Sequence, residues 1–235
     1  MGDIDTRYFP IFADIGGRPC VVAGEGPVAE KRIRQLLKYG ADVVVFTPAP
    51  SESMLEAEAD GKITIERRPF LRGDLHGAFL AVCATSDPEV QRAIVSESES
   101  SGCLLSLTDN AVASSYILPS ITHRDPIQIA VTTAGAAPEI AKMLRKRIEE
   151  HVSHSWGPWV RLVADVRARA IASIEEEAAR ETVMAAVTDP SVLDRFDAGE
   201  EISVDEFLAL AQTAGPAAAE AVEGSQADAP TPGSE

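Results

Sequence analysis

The sequence has 235 residues, of which 45% are hydrophobic, and this composition is ordinary for a folded globular protein. No stretch approaches the roughly 18 consecutive apolar residues of a membrane span, and the opening MGDIDTRYFP lacks the charged and apolar regions of a signal peptide. The net charge is −16, and it is concentrated in residues 173–235, which hold 15 acids against two bases. We therefore expect a cytoplasmic protein that binds neither membrane nor nucleic acid.

Short apolar runs alternate with helical patterns over residues 1–114, which is typical of a parallel sheet with helical crossovers. The predicted strands are Pro19 to Ala23, Asp42 to Phe46, Ile63 to Glu66, Phe79 to Ala84 and Cys103 to Leu107. The predicted helices are Val28 to Tyr39, ended by Gly40, and Pro88 to Ser100, capped by Asp87 and ended by Gly102. The pattern predicts a Rossmann-type domain over residues 1–114.

The rest of the chain divides into three further segments by pattern and composition. We interpret residues 115–150 as a small dimerisation and substrate segment, and residues 151–212 as a helical C-terminal region. Residues 213–235 are rich in Ala, Pro, Gly, Ser and acids, which predicts a disordered acidic tail. The expected fold class is α/β, with a Rossmann-type parallel sheet followed by a small dimerisation segment and a helical C-terminal part.

Apolar patterns mark the elements of this second part. Ile127 to Thr132 predicts a strand, and Pro138 opens a predicted helix. The pattern is helical again from Val160 to Val187 and from Val204 to Gln212. An apolar stripe recurs at helical spacing at Val163, Val166, Ala170, Ile174 and Ala178. Because this stripe needs a partner surface, it favours a homodimer.

A glycine-rich sequence, Gly24-Glu25-Gly26-Pro27-Val28-Ala29, follows the first predicted strand and opens the first helix. This G-x-G-x-x-A arrangement is typical of dinucleotide binding. Gly24 permits a tight turn, Gly26 lets the backbone approach a pyrophosphate, and Ala29 lets helix and strand pack closely. The second strand ends in Phe46-Thr47-Pro48-Ala49, without the acid that holds the adenosine ribose in many NAD enzymes. The choice between NAD and NADP therefore stays open.

The cysteines and histidines do not form a metal-binding pattern. Cys20, Cys83 and Cys103 are too few and too scattered for a disulfide framework or a CxxC metal site. Each falls at a predicted strand, and we interpret them as small buried residues. His151 and His154 lie three residues apart, a spacing that can present two imidazoles on one helix face, but solvent-exposed histidines near a helix end are commoner than metal ligands. We assign no metal ligands.

Three stretches between residues 7 and 150 resemble one known family. Its opening is similar to YFPIFADIGGRPCVVAGEGPVAEKRIRQLLKYGADVVVFTP, and its fourth strand and Ala-Thr-x-Asp turn are similar to GDLHGAFLAVCATSDPEV. Its last block, which ordinary dehydrogenases lack, is similar to SLTDNAVASSYILPSITHRDPIQIAVTTAGAAPEIAKMLRKRIE. The chain thus resembles the siroheme synthase N-terminal type family (precorrin-2 dehydrogenase/sirohydrochlorin ferrochelatase).

The resemblance implies oxidation of precorrin-2 to sirohydrochlorin with NAD, and in many members insertion of Fe2+, as a substrate, to give siroheme. It also implies a homodimer. The family's key aspartate aligns with Asp109, which follows the fifth predicted strand and so lies at the carboxyl edge of the sheet. Without the resemblance, the commoner role for Asp109 is to cap the turn before Asn110. The family's cofactor contacts fall on Gly24, Gly26, Pro27, Val28, Pro48, Ala49 and Thr85.

The second segment carries the substrate-binding candidates. A tetrapyrrole rich in carboxylates attracts cations, and Arg124 is the strongest candidate in this locally basic segment. The family's S-x-GG-x-SP loop is TTAGAAP here, in which Thr133 keeps a hydroxyl group. Ala134 replaces a glycine and Ala137 replaces a serine, so a role that needs this serine is not carried over to this chain.

Three alternatives remain open from the sequence. The first is a dehydrogenase without chelatase activity, which the altered loop supports. The second is a chelatase alone, which Gly24 and Gly26 disfavour. The third is a non-catalytic NAD-sensing Rossmann module that acts on a partner through the acidic tail, and the presence of Asp109 and the basic segment disfavours it.

Overall fold

A five-stranded parallel sheet with helices on both faces forms the N-terminal half of the protein. In this computed structural model the strand order is β3-β2-β1-β4-β5. The strands are β1 (Pro19–Gly24), β2 (Asp42–Phe46), β3 (Ile63–Glu66), β4 (Leu80–Ala84) and β5 (Leu104–Leu107). The helices between them are α1 (Gly26–Lys38), α2 (Glu52–Ala59) and α3 (Pro88–Ser101). The predicted α/β, Rossmann-type fold is confirmed.

The central strands β1 and β4 are apolar along their length because both faces of the sheet are covered there. Cys20 and Val22 of β1 belong to the core that includes Ile33 of α1. Val21 and Ala23, which alternate with them, belong to the core that includes Ile94 of α3. Full burial of a Val or Ile side chain contributes about 1.5–3 kcal/mol. The two cores together make the sheet a rigid support for the loops at its carboxyl edge.

The chain forms two compact units. The structure describes residues 8–212, and the predicted disordered tail, residues 213–235, lies outside them. The units are the Rossmann unit, residues 8–119 with 132–141, and the helical unit, residues 120–131 with 142–212. The segment 115–150, which we predicted as one piece, contributes residues to both units.

The helical unit combines a short hairpin with several helices. Strands β6 (Ser120–Arg124) and β7 (Ile127–Val131) pair in antiparallel fashion. The helices are α4 (Pro138–His151), which begins in the Rossmann unit, α5 (Trp156–Ser173), α6 (Glu177–Val187), α7 (Pro190–Asp197) and α8 (Val204–Leu210). Within residues 8–212, none of the helices has the length and apolar character needed to cross a membrane.

The helical pattern predicted from Val160 to Val187 is two helices rather than one. Helix α5 ends at Ser173, and Ile174 has an extended backbone with φ −116° and ψ 115°. Acids follow at residues 175–177. Carboxylates are unfavourable at the negative C-terminal end of a helix and favourable at an N-terminal start, so this acidic run suits the beginning of α6.

The apolar stripe of α5 is covered by other helices of the same unit. Val166 and Ala170 are buried against Val183 and Val187 of α6, and Phe207 of α8 belongs to the same core. The predicted partner surface is therefore supplied within the chain. The stripe therefore gives no support for a homodimer. The prediction of a homodimer now depends on the family resemblance and on other apolar surfaces.

The three cysteines are buried and unpaired, as the sequence predicted. Burial raises the pKa of Cys20 and of Cys103 to about 11 in each case, and it also raises the pKa of Cys83. Because the thiolate is the reactive form, we expect all three to resist a thiol-specific reagent at neutral pH. Modification kinetics with and without urea test this prediction. Rapid labelling of the native protein would contradict it.

Candidate active site at the carboxyl edge of the sheet

The carboxyl ends of β1 and β4 meet at the centre of the sheet. The register pairs Gly24 with Ala84, and the chain leaves β1 toward β2 on one side, whereas β4 leads to β5 on the other. Doubly wound sheets bind ligands in the crevice that such a change of direction opens. The predicted cofactor residues Gly24 and Thr85 are thus brought to the same point.

Gly24 is required by a close approach of two strands. Its φ is 139°, and a Cβ added there would lie 2.6 Å from the carbonyl carbon and oxygen of Ala84. Residues with side chains rarely adopt this conformation, and the neighbouring atoms belong to backbone that cannot move aside. Gly24 therefore serves the packing of β1 on β4, directly below the loop that begins α1.

Gly26 has the opposite surroundings. Its φ is 76°, and in the described chain a Cβ added there would meet no atom within 4 Å apart from its chain neighbours. Helix α1 begins at this residue with Glu25 as N-cap, without a side-chain cap from the described residues. Uncapped amides at a helix start, beside open space, suit a pyrophosphate. The loop therefore fits a dinucleotide.

The other residues of this loop have complementary roles. Ala29 is completely buried, which lets α1 pack closely on the sheet as predicted. Pro27 lies in the first turn, where its missing N–H costs no helical hydrogen bond. Val28, in the first turn of α1, is 47% exposed. The assignment of Pro27 and Val28 as cofactor contacts stays a prediction.

The end of β2 forms the side of the crevice predicted for adenosine. Thr47 is fully buried, its N–H donates to the carbonyl of Glu66 at 3.1 Å, and its Oγ1 accepts from the N–H of Ala49 at 3.3 Å. Pro48 and Ala49 are exposed. The turn is thus held by Thr47 and presents the next two residues to solvent, where shape and backbone groups are available to a ligand.

Asp109 lies immediately past the end of β5. The N–H of Thr108 donates to the carbonyl of Cys83 at 3.1 Å, which is the last bond between β4 and β5. The Asp109 side chain is exposed, and its Oδ2 accepts from Nε2 of Gln91 at 3.0 Å. The same nitrogen donates to the carbonyl of Thr85 at 2.8 Å. One amide group therefore joins Thr85 to Asp109.

The turn that follows Asp109 is closed by its neighbours. Oδ1 of Asn110 accepts from the N–H of Ala113 at 3.2 Å, and the hydroxyl of Ser114 donates to the carbonyl of Asn110 at 2.8 Å. The hydroxyl of Tyr8 donates to the carbonyl of Ala111 at 2.7 Å. Asn110 and Ser114 thus do the capping that the sequence alone favoured for Asp109.

Sequence reasoning missed Gln91 and Tyr8. Gln91 follows the Asp87-Pro88 start of α3 by one turn, and a polar residue there is also ordinary on a solvated helix face. Tyr8 opens the YFPIF stretch that carries part of the resemblance, but no local pattern connects it with the turn at Ala111. Both contacts depend on the tertiary fold.

The loop that contains Thr133 lies against the same turn. A Cβ added to Gly135, at φ 83°, would come within 3.0 Å of the Cβ of Ala111. Oγ1 of Thr133 accepts from the N–H of Ala137 at 3.1 Å and so braces the start of α4. The structure therefore brings the Thr133 loop and the turn after Asp109 together, and the role of Thr133 in binding substrate stays a prediction.

Ala134, where the family has glycine, adopts a left-handed backbone with φ 53°. This conformation costs a non-glycine residue about 1–2 kcal/mol. We expect Ala134→Gly to raise the free energy of unfolding by about 1 kcal/mol or slightly less, since glycine also gains freedom in the unfolded chain. Urea unfolding measures the change. Ala136→Gly is the control. Ala136 does not have a positive φ, so its replacement by glycine should lower the free energy of unfolding. Equal effects of the two substitutions would contradict the prediction.

Arg124 lies in the helical unit, and its guanidinium has several partners there. Its Nε donates to the carbonyl of Val152 at 3.0 Å, and its Nη1 lies 3.3 Å from Oε1 of Glu149. Only 13% of the side chain is exposed. Arg124 therefore connects β6 to the end of α4. Its role in substrate binding stays a prediction, and these contacts give it a structural role as well.

Comparison with known proteins identifies the family of the chain. An NAD(P)-binding family model matches residues 11–120, and the model described as sirohaem biosynthesis protein, central, matches residues 124–151. A siroheme synthase of Nitrosococcus oceani is 31% identical over 89% of this chain and 45% of its own length. The chain belongs to the siroheme synthase N-terminal family. The resemblance drawn from the sequence is confirmed, and the Rossmann unit carries the family's NAD(P)-binding domain.

The comparisons also show how much of each relative's length the chain covers. A siroheme synthase of Neisseria meningitidis serogroup C is 37% identical over 64% of this chain and 32% of its own length. The chain therefore spans less than half the length of the siroheme synthases it matches. A solved structure titled SirC, precorrin-2 dehydrogenase, covers 88% of this chain and all of its own, with a TM-score of 0.73 and 21% identity. At that identity the likeness shows a common fold.

Proposed function

We propose that this member of the siroheme synthase N-terminal family oxidises precorrin-2 to sirohydrochlorin, with NAD as the hydride acceptor. The observation that carries the proposal is the position of Asp109. Its exposed carboxylate follows β5 at the carboxyl edge of the sheet. The side-chain amide of Gln91 bridges this carboxylate to the carbonyl of Thr85, which follows β4. Gly24, paired with Ala84 of β4, begins the loop that fits a dinucleotide.

The residues present have distinct tasks in this oxidation. When bound, NAD accepts the hydride that leaves a carbon of the macrocycle. The two-hydrogen oxidation must also release a proton, and the Asp109 carboxylate is suited to take it. Because Asp109 is exposed, the proton can pass from its carboxyl group to solvent. Cofactor contacts are assigned to Gly24, Gly26, Pro27, Val28, Pro48, Ala49 and Thr85, and substrate contacts to Arg124 and Thr133.

We propose ferrochelatase activity as a second step at the same carboxylate. Metal insertion releases pyrrole protons, and an exposed carboxylate at the end of β5 can receive them without a second site. Fe2+ is the substrate of this step. The loop of Thr133, braced against the Asp109 turn, keeps its hydroxyl although Ala134 and Ala137 depart from the family's pattern. A dehydrogenase without chelatase activity is the alternative.

We also propose that two copies of the chain associate. In the helical unit, Met143 and Leu144 of α4 are each 46% exposed. In the hairpin of β6 and β7, the apolar side chains of Ile121, Ile127, Ile129 and Val131 are also only partly buried. Apolar side chains exposed together favour association, and a second copy supplies a matching surface. Sedimentation of the protein at several concentrations tests the dimer, and we expect a cytoplasmic location for it.

Anaerobic incubation with enzymatically generated precorrin-2 tests the activity. The visible spectrum is followed first with NAD and then after Fe2+ is added, each against a protein-free control. Appearance of sirohydrochlorin and faster conversion to siroheme support both steps. Oxidation without faster iron insertion supports a dehydrogenase alone. If neither step responds while NAD still binds, the proposal fails and a non-catalytic NAD-binding module is favoured.

A further inference from the structure

The side-chain amide of Gln91 lies between two acceptors. Its Nε2 donates to the carbonyl of Thr85 at 2.8 Å and to Oδ2 of Asp109 at 3.0 Å. We propose that Gln91 is the positioning residue that holds the Asp109 carboxylate for proton transfer and fixes it relative to the end of β4. This inference rests on the proposed function, in which Asp109 accepts the proton.

The chemistry of the two partners requires a group with two donors. A carbonyl and a carboxylate only accept, so a carboxylate or a single hydroxyl at residue 91 could not satisfy both. A lysine or arginine could donate twice, but its positive charge would favour ionised Asp109 and weaken it as a base. A neutral primary amide supplies both donors without that charge.

The backbone keeps this amide in place. The Asp87 side chain caps α3 by accepting from the N–H groups of Glu89 and Val90, and the N–H of Gln91 donates to the carbonyl of Asp87 at 3.0 Å. Gln91 therefore projects from a fixed first turn. Oδ2 of Asp109 accepts from Gln91, whereas within residues 8–212 no hydrogen bond engages Oδ1, which is left to accept a proton from substrate.

Cys83 on β4 and the two acids at the start of α3 are titratable groups close to this pair. The Cys83 thiol on β4 interacts electrostatically with Asp109, and burial raises its pKa, so it stays neutral near pH 7. The acids of the α3 first turn are Asp87 and Glu89, and the carboxylate of Asp87 is held by the turn's amides. The carboxylate of Asp109 therefore depends mainly on Gln91 for a donor.

Gln91→Glu is the test, because it keeps the shape and removes both donors. We expect kcat for precorrin-2 oxidation to fall roughly 10- to 100-fold, with the KM for NAD nearly unchanged. In an Asp109→Ala background the same substitution should cause no further loss. Gln212→Glu, the same change at an exposed residue after α8, is the matched control. An equal loss in both backgrounds would show a merely structural role and overturn the proposal, as would unchanged kcat.

NMR of the free protein gives a readout without substrate. An amide proton that donates to a carboxylate changes its resonance when the carboxylate is removed, so Asp109→Ala should shift the side-chain amide resonances of Gln91, whereas Asp42→Ala should leave them unchanged. Proton–nitrogen NMR of the labelled glutamines measures the shift, with Gln91→Glu for assignment. Unmoved Gln91 resonances in Asp109→Ala would overturn the contact between Gln91 and Asp109. A wild-type chain that shows the contact but does not oxidise precorrin-2 would instead overturn the proposed function.

Discussion

Asp109→Asn should lower kcat for precorrin-2 oxidation about 100- to 10,000-fold, the range typical of losing a general base. Asparagine keeps an oxygen that accepts from Gln91, so the local structure should persist while the proton acceptor is lost. NAD affinity should be unchanged, because Asp109 lies outside the glycine-rich loop. Anaerobic assays of sirohydrochlorin formation, paired with NAD titrations, measure both quantities.

A matched substitution at the opposite edge of the sheet is the control. Asp42 is exposed at the start of β2, so Asp42→Asn removes the same charge far from the carboxyl edge. It should leave oxidation within about twofold of wild type, since surface substitutions away from special features have small effects. Full activity of Asp109→Asn would remove the proposed mechanism.

The second large effect is expected at Gly24. Alanine there places a Cβ 2.6 Å from the backbone of Ala84 and forces a φ of 139° on a residue with a side chain. Backbone strain costs about 1–3 kcal/mol and overpacking costs a similar amount, so Gly24→Ala should lower the free energy of unfolding by roughly 2–6 kcal/mol. Urea unfolding at several temperatures measures it.

Gly26→Ala should separate binding from folding. Its Cβ meets only open space in the described structure, so the loss of stability should be limited to about 1–2 kcal/mol for the left-handed conformation. NAD should bind more than about tenfold more weakly, because the methyl group occupies the approach of the backbone to the pyrophosphate. Gly61→Ala is the control, since Gly61 has a similar φ of 69° and equally open surroundings. Unchanged NAD binding in Gly26→Ala would contradict the proposed loop.

The sheet could be predicted from the sequence because each strand is a short apolar run bounded by turn residues. The bounds of β2 and β3 agree with the prediction, and β1, β4 and β5 each differ from it by one residue at one end. Helix α2 was missed because only Met54 of its eight residues is buried, which leaves little apolar pattern. The break before α6 was missed because the apolar spacing continues through Ile174 into the next helix.

Some residues of the candidate site could likewise be predicted from the sequence, and others could not. Gly24, Gly26 and Asp109 could be named because they occupy fixed places in a local motif or a family block. Gln91 could not, because its partner is 18 residues away and the two meet only when α3 packs beside β5. Contacts of this kind are a property of the folded chain and leave no periodic signal.

The hydrogen bond from Tyr8 to Ala111 also bears on the order in which the chain is assembled. The two residues are 103 positions apart, and at about 5–20 residues per second synthesis separates them by roughly 5–20 s. Tyr8 therefore has no carbonyl of Ala111 to bind while most of the Rossmann unit is being made. Closing so long a loop also carries an entropic cost. The turn that holds the proposed base should be one of the last parts of this unit to be secured on the ribosome.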